Sequence, residues 1–426
     1  MKVIVAHPGK QHSFHVAKAL KSAGLLYKYA TTVYDKNSSI LMRIVKSFLG
    51  KSDYARAQGR KCSALDDDDI VQFCELEGIL LLALIRIDKR GVLSKAYNGY
   101  ISRKFQRKLA KYIIRENIDI VISYDTNSDV LFGILKEKAP HVIRIMDNAA
   151  PNRHYLYKKY HEFWDTCGDF DKTLDVYHYI TNETVSKKYI KEVLLAQYHI
   201  VASSFSLDSI VFEGVNTNSV FVIPYGVDKK FFVESERKFF EGSIHVLFLG
   251  KVNQQKGIAQ VLQAAQAINN KDVQFDIVGP GIEYDKKLYE PYKNYVNFRG
   301  YLSGDALLAY LKNSHVFVFP TMGEGFGLVL LETMAAGLVP ITTHNCGGAD
   351  IVKDGINGFL VEVGDTKDII RKILWCKDHP VELSVMSQNA IETAHRFTWE
   401  RYENQIVDMV LSVSEDNPII MSEKTL

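Results

Sequence analysis

The chain has 426 residues, 47% of them hydrophobic and 24% charged, with a formal net charge of +2. This length exceeds one ordinary core and predicts two or three α/β-sized domains, and the composition excludes general disorder. No apolar run approaches the roughly 20 residues of a membrane-spanning helix. Five scattered cysteines without CxxC spacing indicate neither a disulfide framework nor a zinc site.

The charge is unevenly distributed along the chain. Residues 1–225 contain 32 Lys plus Arg against 24 Asp plus Glu, a net charge of +8, and the remainder contains 20 against 26, a net charge of −6. The basic half includes the run from Arg103 to Arg115 and a more dilute stretch from Arg43 to Lys61. Such runs most often form a solvated helix face, and the alternative is attraction to an anionic membrane or a phosphate-bearing substrate. No recognised nucleic-acid motif accompanies the charge, so nucleic acid is not predicted as a partner.

In the first half, strand-like apolar runs alternate with helical patterns. The predicted elements in chain order are the strand KVIVAH, the helix SFHVAKALKSAG, the strand IDIVISY, the helix SDVLFGILKEKA, and the strands HVIRIMD and YHIVASS. The serines that end YHIVASS are suited to cap the next helix. The run GILLLALI, residues 78–85, is predicted to be a buried helix turn or strand. The start MKVIVAHPGKQ lacks the apolar core and cleavage site of a signal peptide and predicts a cytoplasmic protein.

The second half repeats the alternation. Its predicted strands are IHVLFLG, VQFDIVG, VNFRGY, HVFVFP, VPITT and GFLVEV, separated by helices such as GIAQVLQAAQAI and SGDALLAYLKNS. Uniformly apolar strands of this kind are typical of buried parallel sheets. The sequence therefore predicts two doubly wound, Rossmann-like domains facing each other across a cleft. The domains are expected at 1–225 and 226–400, with a C-terminal helix packing back on the first domain, and a loosely ordered tail, at 401–426.

The stretch TMGEGFGLVLLETMAAG, residues 321–337, joins the predicted strand HVFVFP to a helix. Its glycines allow a ligand to approach the backbone, and the first amides of the helix attract an anion such as a diphosphate. Glu324 at the loop is placed to accept hydrogen bonds from a polyol, and Glu332 inside the helix from a second diol such as a ribose. A glutamate at a helix start is more often a favourable contact with the helix dipole, but the combination with the glycines favours a binding site.

A second strand-to-helix loop, FLGKVNQQKG, carries Lys251 and Lys256 between Gly250 and Gly257. A single loop lysine is usually solvated. Two of them beside a helix amino terminus are suited to neutralise a diphosphate without a metal ion.

With these motifs and VIPYGVD, the stretch GEGFGLVLLETMAAGLVPITTHNCGGADIVKDGINGFLVEVGD resembles glycosyltransferase family four, whose members have the GT-B fold and transfer sugars with retention. The likeness covers residues 222–400, the donor-binding half. The first half is similar mainly in strand order and in the HPGKQHS loop, with a weaker likeness to bacterial polysaccharide-building members. The resemblance implies a nucleotide-diphosphate sugar as donor, a glycan or lipid-linked acceptor, and no metal or other cofactor.

The resemblance also implies roles for individual residues. Glu324 would hydrogen-bond the donor sugar, Glu332 the ribose hydroxyls, and Lys256 the diphosphate. The remaining donor-binding positions implied are the backbone at Gly9, Phe326, Gly327 and Leu328, together with Lys251. The family usually has Arg where this chain has Lys251, and an ammonium cannot hold two oxygens as a guanidinium does.

The first half departs from the family at one position that matters for catalysis. Many members have a histidine at the end of the strand that corresponds to HVIRIMD, and here the expected equivalent is Asp147. Asp147 is predicted as a catalytic residue beside Glu324 and Lys256, with a helix or turn cap as the alternative. His12, Asp125 and His154 are further acceptor-side candidates at strand ends.

Two alternatives to a transferase stay open. A GT-B epimerase would alter the donor without an acceptor, and a silent partner subunit would bind nucleotide sugar without turnover. The acidic run from Asp66 to Asp69 contains a DxD pattern, but no predicted strand precedes it, so no metal site is predicted. The basic first half favours a lipid-linked or polysaccharide acceptor, with peripheral contact at the inner face of the membrane.

Overall fold

A computed structural model describes residues 1–9, 12–36, 39, 42, 59–88, 91–174, 183–233 and 242–415. Part of the cationic stretch between Arg43 and Lys61, and the tail beyond residue 415, lie outside the described residues.

Two parallel sheets organise the described chain. The first contains β1 (Val3–Ala6), β2 (Leu26–Thr31), β3 (Ile70–Gln72), β4 (Ile120–Tyr124), β5 (Ile143–Asn148), β6 (Tyr198–Val201) and β7 (Val220–Val222). The second contains β8 (Ile244–Leu249), β9 (Val273–Val278), β10 (Asn297–Gly300), β11 (Val316–Phe319), β12 (Val339–Thr343) and β13 (Phe359–Val361).

Helices connect the strands. In the first half they are α1 (Ser13–Ser22), α2 (Glu75–Ile87), α3 (Val92–Arg115), α4 (Asp129–Lys138), α5 (Arg153–Glu162), α6 (Glu183–Leu195) and α7 (Ser204–Val211). In the second half they are α8 (Ile258–Ile268), α9 (Lys286–Tyr289), α10 (Gly304–Asn313), α11 (Leu328–Ala335), α12 (Gly348–Ile351), α13 (Thr366–Asp378), α14 (Pro380–His395) and α15 (Trp399–Glu415). Within the described residues, none of these helices combines the length and hydrophobicity needed to cross a membrane.

The strand order confirms the predicted doubly wound fold. The first sheet runs β3-β2-β1-β4-β5-β6-β7 and the second β10-β9-β8-β11-β12-β13, so each reverses direction beside its first strand. Strands β1, β4, β11 and β12 are fully buried, because helices cover both faces of a parallel sheet. Ligands of such folds bind beyond the carboxyl ends of the strands at this switch point.

The chain crosses between the sheets near Gly226 and again near Trp399. A Cβ atom on Gly226 would lie 2.2 Å from the backbone nitrogen of Trp399, so the two crossings are in close contact. Helix α15 then packs against α1, where Glu403 lies 2.9 Å from His15 Nδ1 and accepts a hydrogen bond from Lys18 Nζ at 2.8 Å.

The prediction for residues 78–85 was wrong in one respect. They are helical, within α2, but Leu80 and Ile85 are exposed rather than buried. An apolar run does not by itself reveal which face of a helix packs against the core.

The acidic run forms a short 3-10 helix, Asp67–Asp69, whose charge is balanced from α1. Lys21 Nζ donates to both Asp66 and Asp69 at 2.6 Å. Within the described part of the chain, no group of three or more His, Cys, Asp or Glu side chains is arranged to hold a metal ion. The five cysteines are all described, and they are free thiols.

Candidate active site

The loop between β11 and α11 holds the largest group of predicted residues. It leaves the sheet after Phe319 and enters α11 at Leu328. Gly327 immediately before the helix has a left-handed conformation with φ of +84°, which glycine adopts without a steric penalty. Because the first amides of a helix have no intrahelical acceptors, this loop presents N–H donors and partial positive charge at the carboxyl edge of the second sheet.

Hydrogen bonds to neighbouring loops hold this loop in place. The backbone nitrogen of Glu324 donates to the carbonyl of Asn345 at 2.9 Å, and Asn345 Nδ2 donates to the carbonyl of Met322 at the same distance. Thr321 Oγ1 donates to the carbonyl of Gln255 at 2.8 Å. The Glu324 carboxylate therefore projects from a backbone that is fixed on both sides.

Glu324 forms an ion pair with Lys256. The family resemblance implied that these two residues lie at the same site. Lys256 ends a 3-10 turn, Gln254–Lys256, after β8, and its Nζ contacts Glu324 Oε2. Gly257, which follows, allows this approach because a Cβ atom there would lie 2.1 Å from the carbonyl of Pro320. Both charged side chains are partly buried, so their charges are screened less than those of a surface pair.

A cavity of about 450 Å³ opens beside the start of α11, between β8, β9 and α10. Its lining includes Lys230, Lys251, Gly279, Tyr301, Leu307 and Glu332. Burial raises the pKa of Glu332 to about 7, and the nearby Lys230 opposes that shift. The cavity thus combines two cations with a carboxyl group that is poised to ionise near neutral pH.

The second sheet's loop touches the first domain through Gly325. A Cβ atom on Gly325 would lie 2.4 Å from the carbonyl of Ala149, which follows β5. The carbonyl of Gly325 accepts hydrogen bonds from Ser203 Oγ and from Ser206 Oγ, the latter at 3.0 Å. Ser203 also caps α7 through the backbone nitrogen of Ser206, which confirms the predicted capping serine. The two carboxyl edges therefore meet at this loop.

At the carboxyl edge of the first sheet, Asp147 is paired with His12. Asp147 Oδ2 lies 2.8 Å from His12 Nε2, and Asp147 is 1% exposed. The ring of Tyr225 lies 4.5 Å from the His12 ring and 5.6 Å, edge on, from Phe326. An aromatic side chain from the domain crossing thus connects the His12–Asp147 pair to the loop between β11 and α11.

Gly9 lies just beyond β1 at the same edge. Its backbone nitrogen donates to His7 Nδ1 at 2.9 Å. Burial lowers the pKa of His7 to about 4, so this imidazole is neutral at physiological pH and accepts the hydrogen bond. The next residues, 10 and 11, lie outside the described part of the chain.

Asp125, at the end of β4, lies beside Asp147. Its Oδ1 accepts a hydrogen bond from the nitrogen of Ala149 at 3.3 Å, and burial raises its pKa to about 6. The following Thr126 has φ of +69°, a strained conformation for a β-branched residue. Glu192 from α6 supports it by accepting from the Thr126 nitrogen at 2.9 Å.

Sequence analysis gave no role to Glu192, Tyr225 or Lys230. Tyr225 lies within the motif VIPYGVD, but nothing in that motif indicates that its ring contacts His12 and Phe326. His154 lies apart from the other candidates. Its Nδ1 is 2.9 Å from Glu213 Oε1, beyond the end of α7 that is opposite Gly325. The structure therefore brings Glu324 and Lys256 together, Lys251 and Glu332 into one cavity, and Asp147, His12 and Asp125 to the opposing edge.

Comparison with known proteins matches the second half of the chain to a family. Residues 230–393 match the family described as Glycosyl transferases group 1. An uncharacterized glycosyltransferase of Methanocaldococcus jannaschii is 31% identical over 193 residues, 43% of this chain and 51% of that protein. The capsular polysaccharide biosynthesis glycosyltransferase CapM of Staphylococcus aureus is 27% identical over 203 residues, 46% of this chain and 51% of that protein. The chain spans about half the length of these curated relatives.

Solved structures match almost the whole chain. Sucrose-phosphate synthase from Thermosynechococcus elongatus has a TM-score of 0.67 at 18% identity, covering 98% of this chain and 100% of that one. The Anabaena protein HepE in complex with UDP-glucose has a TM-score of 0.59 at 16% identity, covering 97% and 100%. These likenesses concern the fold. The chain therefore has GT-B architecture, and the match to the family described as Glycosyl transferases group 1 lies within its second half, at residues 230–393.

Proposed function

We propose that the protein is a retaining glycosyltransferase that moves a hexose-type sugar from a nucleotide-diphosphate sugar to a glycan or lipid-linked acceptor. The observation that carries this proposal is the Lys256–Glu324 ion pair at the amino end of α11, next to the cavity that contains Glu332. Lys256 and the first amides of α11 complement the diphosphate of such a donor, Glu324 complements the sugar hydroxyls, and Glu332 complements the ribose.

In the proposed complex, the diphosphate lies on the amides of Phe326, Gly327 and Leu328. Lys256 and Lys251 supply positive charge on its two sides. The sugar hydroxyls replace Lys256 as partners of the Glu324 carboxylate, so the donor would separate an ion pair that is already formed in its absence. The nucleoside occupies the cavity, with its ribose diol at Glu332.

The chemical step would exchange one bond for another at the anomeric carbon. The bond from this carbon to the diphosphate oxygen breaks, the bond to the acceptor oxygen forms on the same face, and the acceptor proton passes to the leaving diphosphate. The helix amides and the lysines stabilise the charge that develops on the diphosphate. We therefore propose that the reaction requires neither a metal ion nor a dedicated general base.

The opposing edge is proposed as the acceptor side. Asp147 and His12 form a buried pair at the end of β5, and Asp125 lies beside them. We propose that Asp147, as an anion near the developing oxocarbenium ion, contributes to catalysis, while His12 and Asp125 position the acceptor. The similarity to CapM supports an acceptor used in surface-polysaccharide synthesis, and we place the enzyme in the cytoplasm at the inner face of the membrane.

A thermal-shift panel of nucleotide sugars tests the donor assignment. A ligand at 100 times its dissociation constant adds about 2.7 kcal/mol to the free energy of unfolding, so the true donor should raise the Tm most. The same panel on Lys256→Ala should lose this stabilisation. A panel in which no nucleotide sugar raises the Tm of the wild-type protein would refute the proposal.

Turnover then separates the proposal from its alternatives. A transferase consumes donor only in the presence of an acceptor. An epimerase would convert the donor alone, and a silent partner subunit would bind donor and consume none with any acceptor fraction.

A further inference from the structure

Helices α2 and α3 form a hairpin with an exposed apolar surface. Among the described residues, seven of the eighteen exposed large apolar side chains lie between residues 76 and 100. They are Leu76, Leu80, Ile85, Ile87, Val92, Leu93 and Tyr100. Monomeric soluble proteins rarely expose such a cluster without a binding role.

Three of the four exposed apolar side chains of α2 lie along one stripe, and the fourth, Ile85, lies on the opposite side in the last turn of the helix. On α2, Leu76, Leu80 and Ile87 are separated by four and seven residues, which places them on one face. The opposite face holds the buried Gly78, where a Cβ atom would lie 2.6 Å from Val33 Cγ2. The core therefore covers one side of α2 near its start, around Gly78, and leaves the stripe of Leu76, Leu80 and Ile87 in solvent.

The stripe on α3 changes in character along the helix. Leu93 and Tyr100 are exposed near its start, and Arg103 and Arg107 continue the same stripe at spacings of three and four residues. Over residues 75–115 the sequence contains ten Lys plus Arg against three Asp plus Glu. Along this stripe, apolar side chains come first and cations follow one turn further back, and Arg86, Lys89, Arg90 and Lys95 add positive charge around the sequence that joins the two helices. This mixture of apolar side chains and cations suits the anionic headgroup layer of a bilayer and the acyl chains beneath it.

The α2–α3 hairpin projects beyond the carboxyl edge of the first sheet, which is the edge on the cleft side of the first domain. Ser102 Oγ donates to Asn127 Oδ1, and Asn127 follows β4, so Ser102 is level with the carboxyl edge of the sheet. The ten residues of α3 before Ser102 therefore project about 15 Å beyond that edge. This is the edge that carries the His12–Asp147 pair.

The hairpin is held as a defined unit. Lys104 Nζ contacts Glu77 between the helices, and Asp88 Oδ2 accepts a hydrogen bond from the nitrogen of Ser94 at 2.7 Å. The exposed face is therefore presented by ordered backbone.

We infer that the α2–α3 hairpin is a docking surface for an anionic lipid bilayer, with its apolar tip among the headgroups and Arg103 and Arg107 at the phosphates. Docking in this orientation turns the acceptor edge of the cleft towards the membrane. That last consequence rests on the proposed function, whereas lipid binding does not.

Co-sedimentation with vesicles tests the inference without donor or acceptor. The probe is an equal mixture of phosphatidylcholine and phosphatidylglycerol, compared with pure phosphatidylcholine. The variant Leu80→Ser/Leu93→Ser should lower the partition coefficient on the mixed vesicles by about tenfold or more, because two apolar side chains no longer enter the interface. The matched control is Val381→Ser/Val385→Ser on α14, where the side chains are 71% and 59% exposed, and it should bind as the wild type does.

A second variant tests the contribution of the cations to vesicle binding. Arg103→Gln/Arg107→Gln should weaken binding to the mixed vesicles by about twentyfold at low salt, since each cation near an anionic surface contributes about fivefold. The loss should shrink at high salt. Equal effects of hairpin and control variants, or no binding of the wild type to mixed vesicles, would overturn the inference.

Two further outcomes would also overturn it. Light scattering that shows a dimer of the wild type, dissociated by Leu80→Ser/Leu93→Ser, would assign the face to a second copy of the chain. A marked fall in the Tm of that variant with unchanged vesicle binding would assign it to intramolecular packing. An enzyme that is active on a soluble acceptor but fails to bind vesicles would refute the docking surface and leave the proposed function intact.

Discussion

The carboxyl edges of the two sheets are built in different ways. At the second edge, Glu324 and Lys256 come from two short loops whose glycines and helix starts are visible in the sequence. At the first edge, His12 and Asp147 are 135 residues apart, and Thr126 is supported by Glu192, which is 66 residues away. Local motifs therefore describe the donor side, and long-range packing assembles the acceptor side.

The two edges also differ in how they carry charge. The donor edge combines Lys251, Lys256 and helix amides, which suits an anionic ligand. The acceptor edge contains the carboxyl groups of the buried Asp147 and the half-buried Asp125. Positive charge on one side and negative charge on the other suits a reaction in which a diphosphate departs and a cationic sugar centre forms between them.

The largest effect is expected at the donor edge. Lys256→Ala or Glu324→Ala should lower turnover by roughly ten- to a hundredfold or more, because each removes a charge-assisted interaction worth about 1.5–3 kcal/mol. Steady-state kinetics with saturating acceptor measures this loss. Lys293→Ala, which removes an exposed ion pair with Glu290, is the control and should be unaffected. Near wild-type rates in both Lys256→Ala and Glu324→Ala would contradict the proposal that the second edge binds the donor.

Glu332 should make stability depend on pH. Burial raises its pKa from the ordinary value of 4.5 to about 7 in the folded protein. The free energy of unfolding therefore falls as the pH rises from about 4.5 to 7, because over this range the unfolded chain has released the proton that the folded state still holds. Glu332→Gln should therefore be more stable than the wild type by about 3 kcal/mol at pH 8 and should match it near pH 4. Urea unfolding at both pH values checks this, with the exposed Glu290→Gln as control. A constant difference between the two pH values would contradict the prediction.

Asp147→Asn tests the acceptor edge alone. The variant keeps the shape of the side chain but removes its charge beside His12, so turnover should fall by about tenfold, equivalent to about 1.4 kcal/mol. The rise in Tm on binding the donor should stay unchanged, because Asp147 belongs to the opposite edge. Asp408→Asn on the exposed side of α15 is the control. Loss of donor binding together with turnover would show that the edges do not act separately.

The smallest effect is expected from metal removal. Excess chelator should leave turnover unchanged, because lysines and helix amides supply the positive charge at the donor edge, and Lys21 occupies two carboxylates of the acidic run. Turnover measured with and without chelator checks this. A loss that magnesium or manganese restores would instead assign a catalytic role to the run from Asp66 to Asp69.

Much of the fold was predictable, because buried parallel strands are uniformly apolar and the helices between them have a clear period. Three strands of the first sheet were missed. In β2 the sequence LYKYAT mixes tyrosine with lysine and threonine and lacks such a run, and β3 and β7 are only three residues long. The exposed face of α2 was also missed, because GILLLALI is apolar on every side and only its neighbours decide which side is covered.

Local sequence patterns were sufficient to predict two doubly wound domains and the strand-to-helix loops that carry Glu324 and Lys256, because both depend on residues that are close along the chain. The tertiary structure alone decided which polar groups meet at the acceptor edge, how Tyr225 connects that edge to Phe326, and which face of the α2–α3 hairpin remains in solvent. These outcomes depend on contacts between residues far apart in sequence, whose pairing is set by how the helices and sheets pack.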